Sequence, residues 1–71
     1  MRVPFSSIFK KNSDGSFEPN GITRIGGVEF GSGVKFTKGV IIAGIDFTNY
    51  EGKDFEVEMD NNSTIIRGIY E

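Results

Sequence analysis

Glu56, Glu58 and Asp60 occupy alternate positions late in the chain. Paired carboxylates are one of the few routes to acid–base catalysis open to this sequence. On an extended strand, consecutive members of the trio stand about 7 Å apart. The same alternation is what the solvated face of any strand shows, and we read it that way. The chain has no His and no Cys, so Ser-His and Cys-His nucleophiles and a Cys/His zinc site cannot be assembled. Ser-Lys chemistry is formally open, but no spacing points to it.

Two further motifs invite a ligand. Lys10-x-Asn12-x-Asp14-Gly15 resembles the middle of an EF-hand calcium loop, but its first ligand position is Lys and no Glu falls at the twelfth. A hairpin turn accounts for it. The run GVEFGSG (residues 27–33) is rich in glycine yet opens no helix whose N-terminus could hold a phosphate. The sequence therefore predicts no enzyme, no cofactor and no metal.

Nucleic acid is the next partner to weigh, because small barrels bind it on basic faces studded with aromatics. Phe30 and Phe36 with Arg24, Lys35 and Lys38 would form such a face. Both rings, however, share their phase with Val28, Val34 and Val40, which marks them as core. The net charge of −2 also opposes phosphate attraction. The expected partner is protein, with copies of this chain foremost. The residues expected to form the interaction surface are Glu56, Glu58, Asp60, Lys35, Lys38 and Arg24.

Charge is divided along the chain. Residues 1–38 carry six basic and three acidic groups, and residues 39–71 carry two basic and seven acidic. If those halves formed opposite faces, copies would be steered head to tail.

The elements that must carry these residues are β-strands. Seven Phe and two Tyr stand beside many Ile and Val, with no Leu, and ten Gly supply turns. β-branched and aromatic residues suit a half-buried pleated surface, while glycine weakens helices. Seventy-one residues make one domain, small enough that a single core barely suffices without help.

Val3 to Phe9 reads as a strand, with Pro4 confining it to an edge. Asp14-Gly15 reads as a two-residue hairpin turn, which sets Asn12 opposite Phe17 and Lys11 opposite Glu18. Pro19-Asn20-Gly21 then redirects the chain. The tail is the clearest hairpin. Phe55, Val57 and Met59 alternate with Glu56, Glu58 and Asp60, Asn61-Asn62 turns, and Thr64 to Tyr70 returns. That register sets Val57 opposite Ile66, Glu56 opposite Arg67 and Phe55 opposite Gly68, with Val57, Ile66 and Phe55 buried. Thr48 to Lys53 connects the middle to the tail, with Tyr50 folded onto the core.

Residues 21–44 repeat in four hexads, GITRIG, GVEFGS, GVKFTK and GVIIAG. They resemble the hexapeptide repeat of left-handed β-helices found in bacterial acyltransferases. The resemblance implies triangular coils that work when stacked, although the catalytic His of those enzymes has no counterpart here. A hexad is also a period-two pattern, which places Val28, Phe30, Val34, Phe36, Val40 and Ile42 on one core face. Glu29, Lys35 and Thr37 would then face water. Glycines 31, 33 and 39 would bend so long a strand. The phase flips at Ala43-Gly44, implying a bulge or a new strand.

The fold expected is thus all-β: a small, strongly bent antiparallel barrel or sandwich of five or six strands, with a short β-helix-like stack of the hexads as the alternative. The function expected is a non-catalytic structural or protein-binding module that self-associates through β-edges; a small barrel binding nucleic acid is the alternative. MRVPFSSIFKK does not read as a signal peptide, and no apolar run approaches the roughly 20 residues of a membrane span. A cytoplasmic location without membrane contact is the expectation.

Overall fold

The computed structural model describes residues 1–71 and is built from short strands. In chain order these are β1 (Arg2–Pro4), β2 (Phe9–Lys11), β3 (Phe17–Pro19), β4 (Thr23–Ile25), β5 (Val28–Phe30), β6 (Asp54–Asp60) and β7 (Ser63–Tyr70). One helical turn, α1 (Phe5–Ile8), separates β1 from β2, and a 3₁₀ turn spans Phe47–Tyr50. Five strands form a sheet in the order β1-β6-β7-β4-β5, and β2 pairs with β3 in a second, two-stranded sheet. No helix is long and apolar enough to cross a membrane.

The all-β reading holds. The strands number seven, and the larger sheet is mixed, because β4 runs parallel to β7 while its other neighbours are antiparallel. The ends of that sheet, β1 and β5, do not pair with each other, so the barrel does not close.

Every Phe of the chain is buried. Phe5, Phe9, Phe17, Phe30, Phe36, Phe47 and Phe55 form one cluster with Ile8, Ile25, Val57 and Ile66. Ring centroids lie 4.8 to 6.2 Å apart, with edge-on pairs at Phe5–Phe17, Phe9–Phe36 and Phe30–Phe36. Edge-to-face contacts align ring quadrupoles favourably, so the cluster gains more than its apolar area alone supplies. The sheet contributes Ile25, Phe30, Phe55, Val57 and Ile66 to this core. The segments outside it contribute the remaining rings.

Local chemistry corrects several expectations. Val3 to Phe9 is not one strand. Phe5 and Ile8 are both buried three residues apart, the spacing that brings side chains to one face of a helical turn. The intervening Ser6 and Ser7 face water. Pro4 does lie on an edge strand, as its missing N–H requires.

The β2–β3 hairpin is one residue out of the expected register. Lys11 stands opposite Phe17 and Lys10 opposite Glu18, with Lys10 Nζ 3.5 Å from Glu18 Oε1. The loop has three residues, closed by Asn12 N–H to Ser16 O at 2.7 Å, and Gly15 takes φ +89° as its left-handed member.

The tail hairpin turns at Asn61-Asn62, both with positive φ, and Val57 does pair with Ile66. Phe55, Val57 and Ile66 are buried as expected. A bulge between Glu56 and Val57 shifts the rest, so Glu56 faces Gly68 and Phe55 faces Ile69. Arg67 is left as the extra residue and reaches Glu58 instead, Nη2 to Oε2 at 3.3 Å.

The hexads form neither a coil nor one bent strand. The first two fold back on each other as the antiparallel pair β4–β5, through Gly26-Gly27 with φ +54° and +84°. A β-helical coil needs successive hexads to run on around the coil, not to reverse. The rest of the run forms no extended strand. Phe36 bridges Phe17 alone, and Ile42 bridges Ile45 across a tight turn at Ala43-Gly44 (φ +52° and +79°), which is where the phase flips. Phe30 and Phe36 reach the core, and Val40 and Ile42 pack partly against it, but Val28 and Val34 are each 40% exposed. Tyr50 packs against the core as expected.

Candidate interaction surface

The outward side of the larger sheet holds most of the residues expected to form a surface. With Phe55 and Val57 buried, the alternating Glu56, Glu58 and Asp60 of β6 point away from the core. Glu58 lies opposite Ile65 on β7, Ile65 opposite Arg24 on β4, and Arg24 opposite Glu29 on β5, so these four cross the sheet as one row. Arg24 Nε donates to Glu29 Oε2 at 3.1 Å. Asp60 closes the strand beside the Asn61-Asn62 turn, with no cation in ion-pair reach.

Glu56 is the most engaged of the trio. Its Oε2 accepts from the Met1 ammonium and its Oε1 from the Tyr70 hydroxyl. The ammonium, then the hydroxyl, hold its carboxyl below the ordinary range, and the same carboxylate pushes the Tyr70 hydroxyl up. Beside it, Arg2 Nε donates to Asp54 Oδ2 at 2.8 Å, and its guanidinium lies 4.1 Å over the Tyr70 ring. Arg2 and Tyr70 were not among the residues singled out from sequence. A cation opposite the acidic alternation would have been the signal, but it is visible only once β1 is known to pair with β6.

Lys35 and Lys38 are not on this face. Both sit in the irregular part of the hexads, where Lys35 Nζ lies 3.8 Å from Asp14 Oδ2. Lys38 has no ion-pair partner, though its charge helps hold the Asp46 carboxyl low. The structure thus joins Glu56, Glu58, Asp60 and Arg24 on one face and sets the two lysines apart. The division of charge along the chain does not become two opposite faces either. Arg2 pairs with Asp54 and Lys11 with Glu51, across the halves, and the acidic tail hairpin lies between the basic-half strands β1 and β4.

Two other carboxylates shape the molecule. Asp46 Oδ1 accepts from the Thr48 hydroxyl at 2.6 Å and its N–H at 3.0 Å, while Oδ2 accepts from Gly39 N–H at 2.9 Å. Glu18 Oε2 accepts from Gly33 N–H at 2.9 Å. Two of the four glycines that open the hexads, Gly33 and Gly39, are therefore held by carboxylates, in place of a neighbouring strand. Hydrogen bonds to the charged form favour it. Both carboxyls accordingly sit below their ordinary values, Asp46 chiefly through Thr48 and Glu18 chiefly through Gly33. In the calcium-loop-like stretch, Asp14 Oδ1 accepts from both the N–H and the hydroxyl of Ser16. Asp14 therefore closes the turn, and no group of three acidic side chains converges where a metal could sit.

The sheet's two edges carry the remaining unpaired chemistry. Val57 N–H donates to Met1 O at 2.8 Å and Phe5 N–H to Lys53 O at 3.0 Å. That alternation turns the N–H and C=O of Arg2 away from β6 and outward, whereas the C=O of Pro4, the N-cap of α1, takes the first hydrogen bond of that helical turn. On the other side, the two-residue Gly26-Gly27 turn makes Ile25 and Val28 the first bonded pair. Glu29 is then left with its N–H and C=O facing outward from β5. None of the main-chain bonds outside the strands and helices reaches Arg2 or Glu29.

A depression of about 310 Å³, smaller than the other two on the molecule, is lined by Pro4, Phe5, Phe9, Phe17, Lys11 and Glu51. Lys11 and Glu51 pair at 3.5 Å beside it. No family of known proteins matches the chain, and no curated protein or solved structure is similar to it.

Proposed function

We propose that this chain is a non-catalytic structural or binding module that acts through protein–protein contact at its sheet edges, with copies of itself as partner. The observation that carries this reading is the pair of uncovered edges, β1 and β5, each presenting unpaired main-chain donors and acceptors. A free edge is a template for another strand. Ile22, Val28, Val34 and Ile41 add aliphatic surface 40 to 59% exposed on the hexad segment. A non-catalytic role is supported by where the carboxylates stand: Glu56 and Glu58 hold neighbouring side chains, and Asp14, Glu18 and Asp46 hold turns.

The nucleic-acid alternative draws less support. Phe30 and Phe36 are 7% and 1% exposed, so neither ring offers a face for base stacking, and Arg24 and Lys35 already face carboxylates.

Sedimentation across a micromolar concentration series tests the proposal. We expect species larger than monomer at low salt, and dissociation as salt rises. A monomer at every concentration and ionic strength refutes self-association. Retention on heparin at physiological salt would favour the nucleic-acid alternative.

A further inference from the structure

The two free edges are complementary to each other, not each to itself. β1 is antiparallel to β6, β6 to β7, β7 parallel to β4, and β4 antiparallel to β5. β1 and β5 therefore run in opposite directions at opposite ends of the sheet. A second copy set beside the first with the same face outward brings its β1 antiparallel to β5.

The outward groups then select one register. Glu29 offers an N–H and a C=O; Arg2 offers the same, but Pro4 has no N–H and its C=O already serves α1. Setting Glu29 opposite Pro4 leaves the Glu29 carbonyl without a donor. Setting it opposite Arg2 satisfies both groups and places Pro4 opposite Gly27, at the end of the strand.

Side chains agree with that register. Arg2 shares the outward face with Glu56 and Tyr70, and Glu29 shares it with Arg24. The two opposite charges thus meet on the same side of the joined sheet. Both are about half exposed, 59% for Arg2 and 52% for Glu29, so each has donors or acceptors left beyond its present partner. On the core side, half-buried Val3 falls opposite Val28, which is 40% exposed in the single chain. Pairing β5 with a second β5 about Glu29 would instead oppose two glutamates, which is unfavourable.

We infer that copies join head to tail, the β5 edge of one taking the β1 edge of the next with Glu29 opposite Arg2, so that their sheets become continuous. This names the partner surface and rests on the self-association proposed above. A contact between unlike edges leaves one edge free at each end, so it propagates into open assemblies unless rotation closes a ring.

Amide hydrogen exchange on the unaltered chain reads the contact directly. The Arg2 and Glu29 amides should exchange freely when dilute and slow together as concentration rises. In sedimentation, Arg2→Glu and Glu29→Arg should each weaken association by at least about tenfold, since each opposes like charges. An equimolar mixture should recover it, because each variant then finds its complement. If the unaltered chain associates while both amides stay unprotected, or while both variants associate like it, the assignment of edges is wrong though self-association stands. A chain that never associates removes both.

Discussion

Phe36 and Val34 occupy even positions of the same hexad, yet the structure gives them opposite environments. Phe36 is 1% exposed and meets Phe9 and Phe30 edge-on at 5.7 and 5.1 Å, whereas Val34 is 40% exposed. Phe36→Leu keeps an apolar side chain but removes both edge-on contacts. At about 0.5–1.5 kcal/mol each, the loss is about 1–3 kcal/mol. With an m-value of about 1 kcal/mol/M for so small a chain, the urea midpoint should fall by about 1–3 M. Phe36→Ala should lose about 3–5 kcal/mol. That approaches the low end of the total of about 4–11 kcal/mol expected for a chain of this length, so the leucine variant is the better probe. Val34→Ala should stay within about 0.5 kcal/mol, as for surface changes generally. The assay is equilibrium urea unfolding followed by far-UV circular dichroism. Equal losses for Val34→Ala and Phe36→Leu would refute the reasoning, because they would place the whole even column in one core.

Two of the hexad glycines separate in the same way. Gly27→Ala should cost about 1–2 kcal/mol in thermal unfolding, because φ is +84° in the β4–β5 turn. Gly21→Ala should be neutral or stabilising by up to about 1 kcal/mol, since its φ is ordinary and no atom lies within 4 Å of the added methyl. Stability should also depend on pH through Glu18 and Asp46. Their carboxyls are lowered in the folded chain, so the stabilisation is fully present above the ordinary values of 4.5 and 3.8 and is lost as pH falls through the folded ones. Melting temperature followed from pH 6 to 2 should show that decline, and Glu18→Gln with Asp46→Asn should flatten it; an unchanged slope would count against these bonds.

The alternation from Asp54 to Tyr70 was enough to place the tail hairpin, its Asn61-Asn62 turn and its buried Phe55, Val57 and Ile66. Period-two hydrophobicity needs no partner to declare itself, because the side chains of one strand already sort into wet and dry. Gly26-Gly27 carries a tight-turn signal too, but the hexad reading places no turn there and bends the chain at glycines 31, 33 and 39 instead. What alternation does not encode is which groups satisfy the backbone. A bulge that sets Arg67 aside, or a three-residue loop where Asp14-Gly15 suggests two, changes the register without changing the pattern. Phe5-Ser-Ser-Ile8 did carry a helical spacing, but a single turn is too short to stand out from the strand-like residues around it.

The hexads show the limit most plainly. Their period promised one continuous surface, but the backbone N–H groups of Gly33 and Gly39 found the carboxylates of Glu18 and Asp46 instead of a neighbouring strand. Composition determined that this chain folds as β-structure around phenylalanine. Only the tertiary structure decided which hexads became strands, which side of the sheet holds Glu56, Glu58 and Arg24, and which edges were left open. Those outcomes depend on hydrogen bonds between residues far apart in the chain, and local pattern carries no record of them.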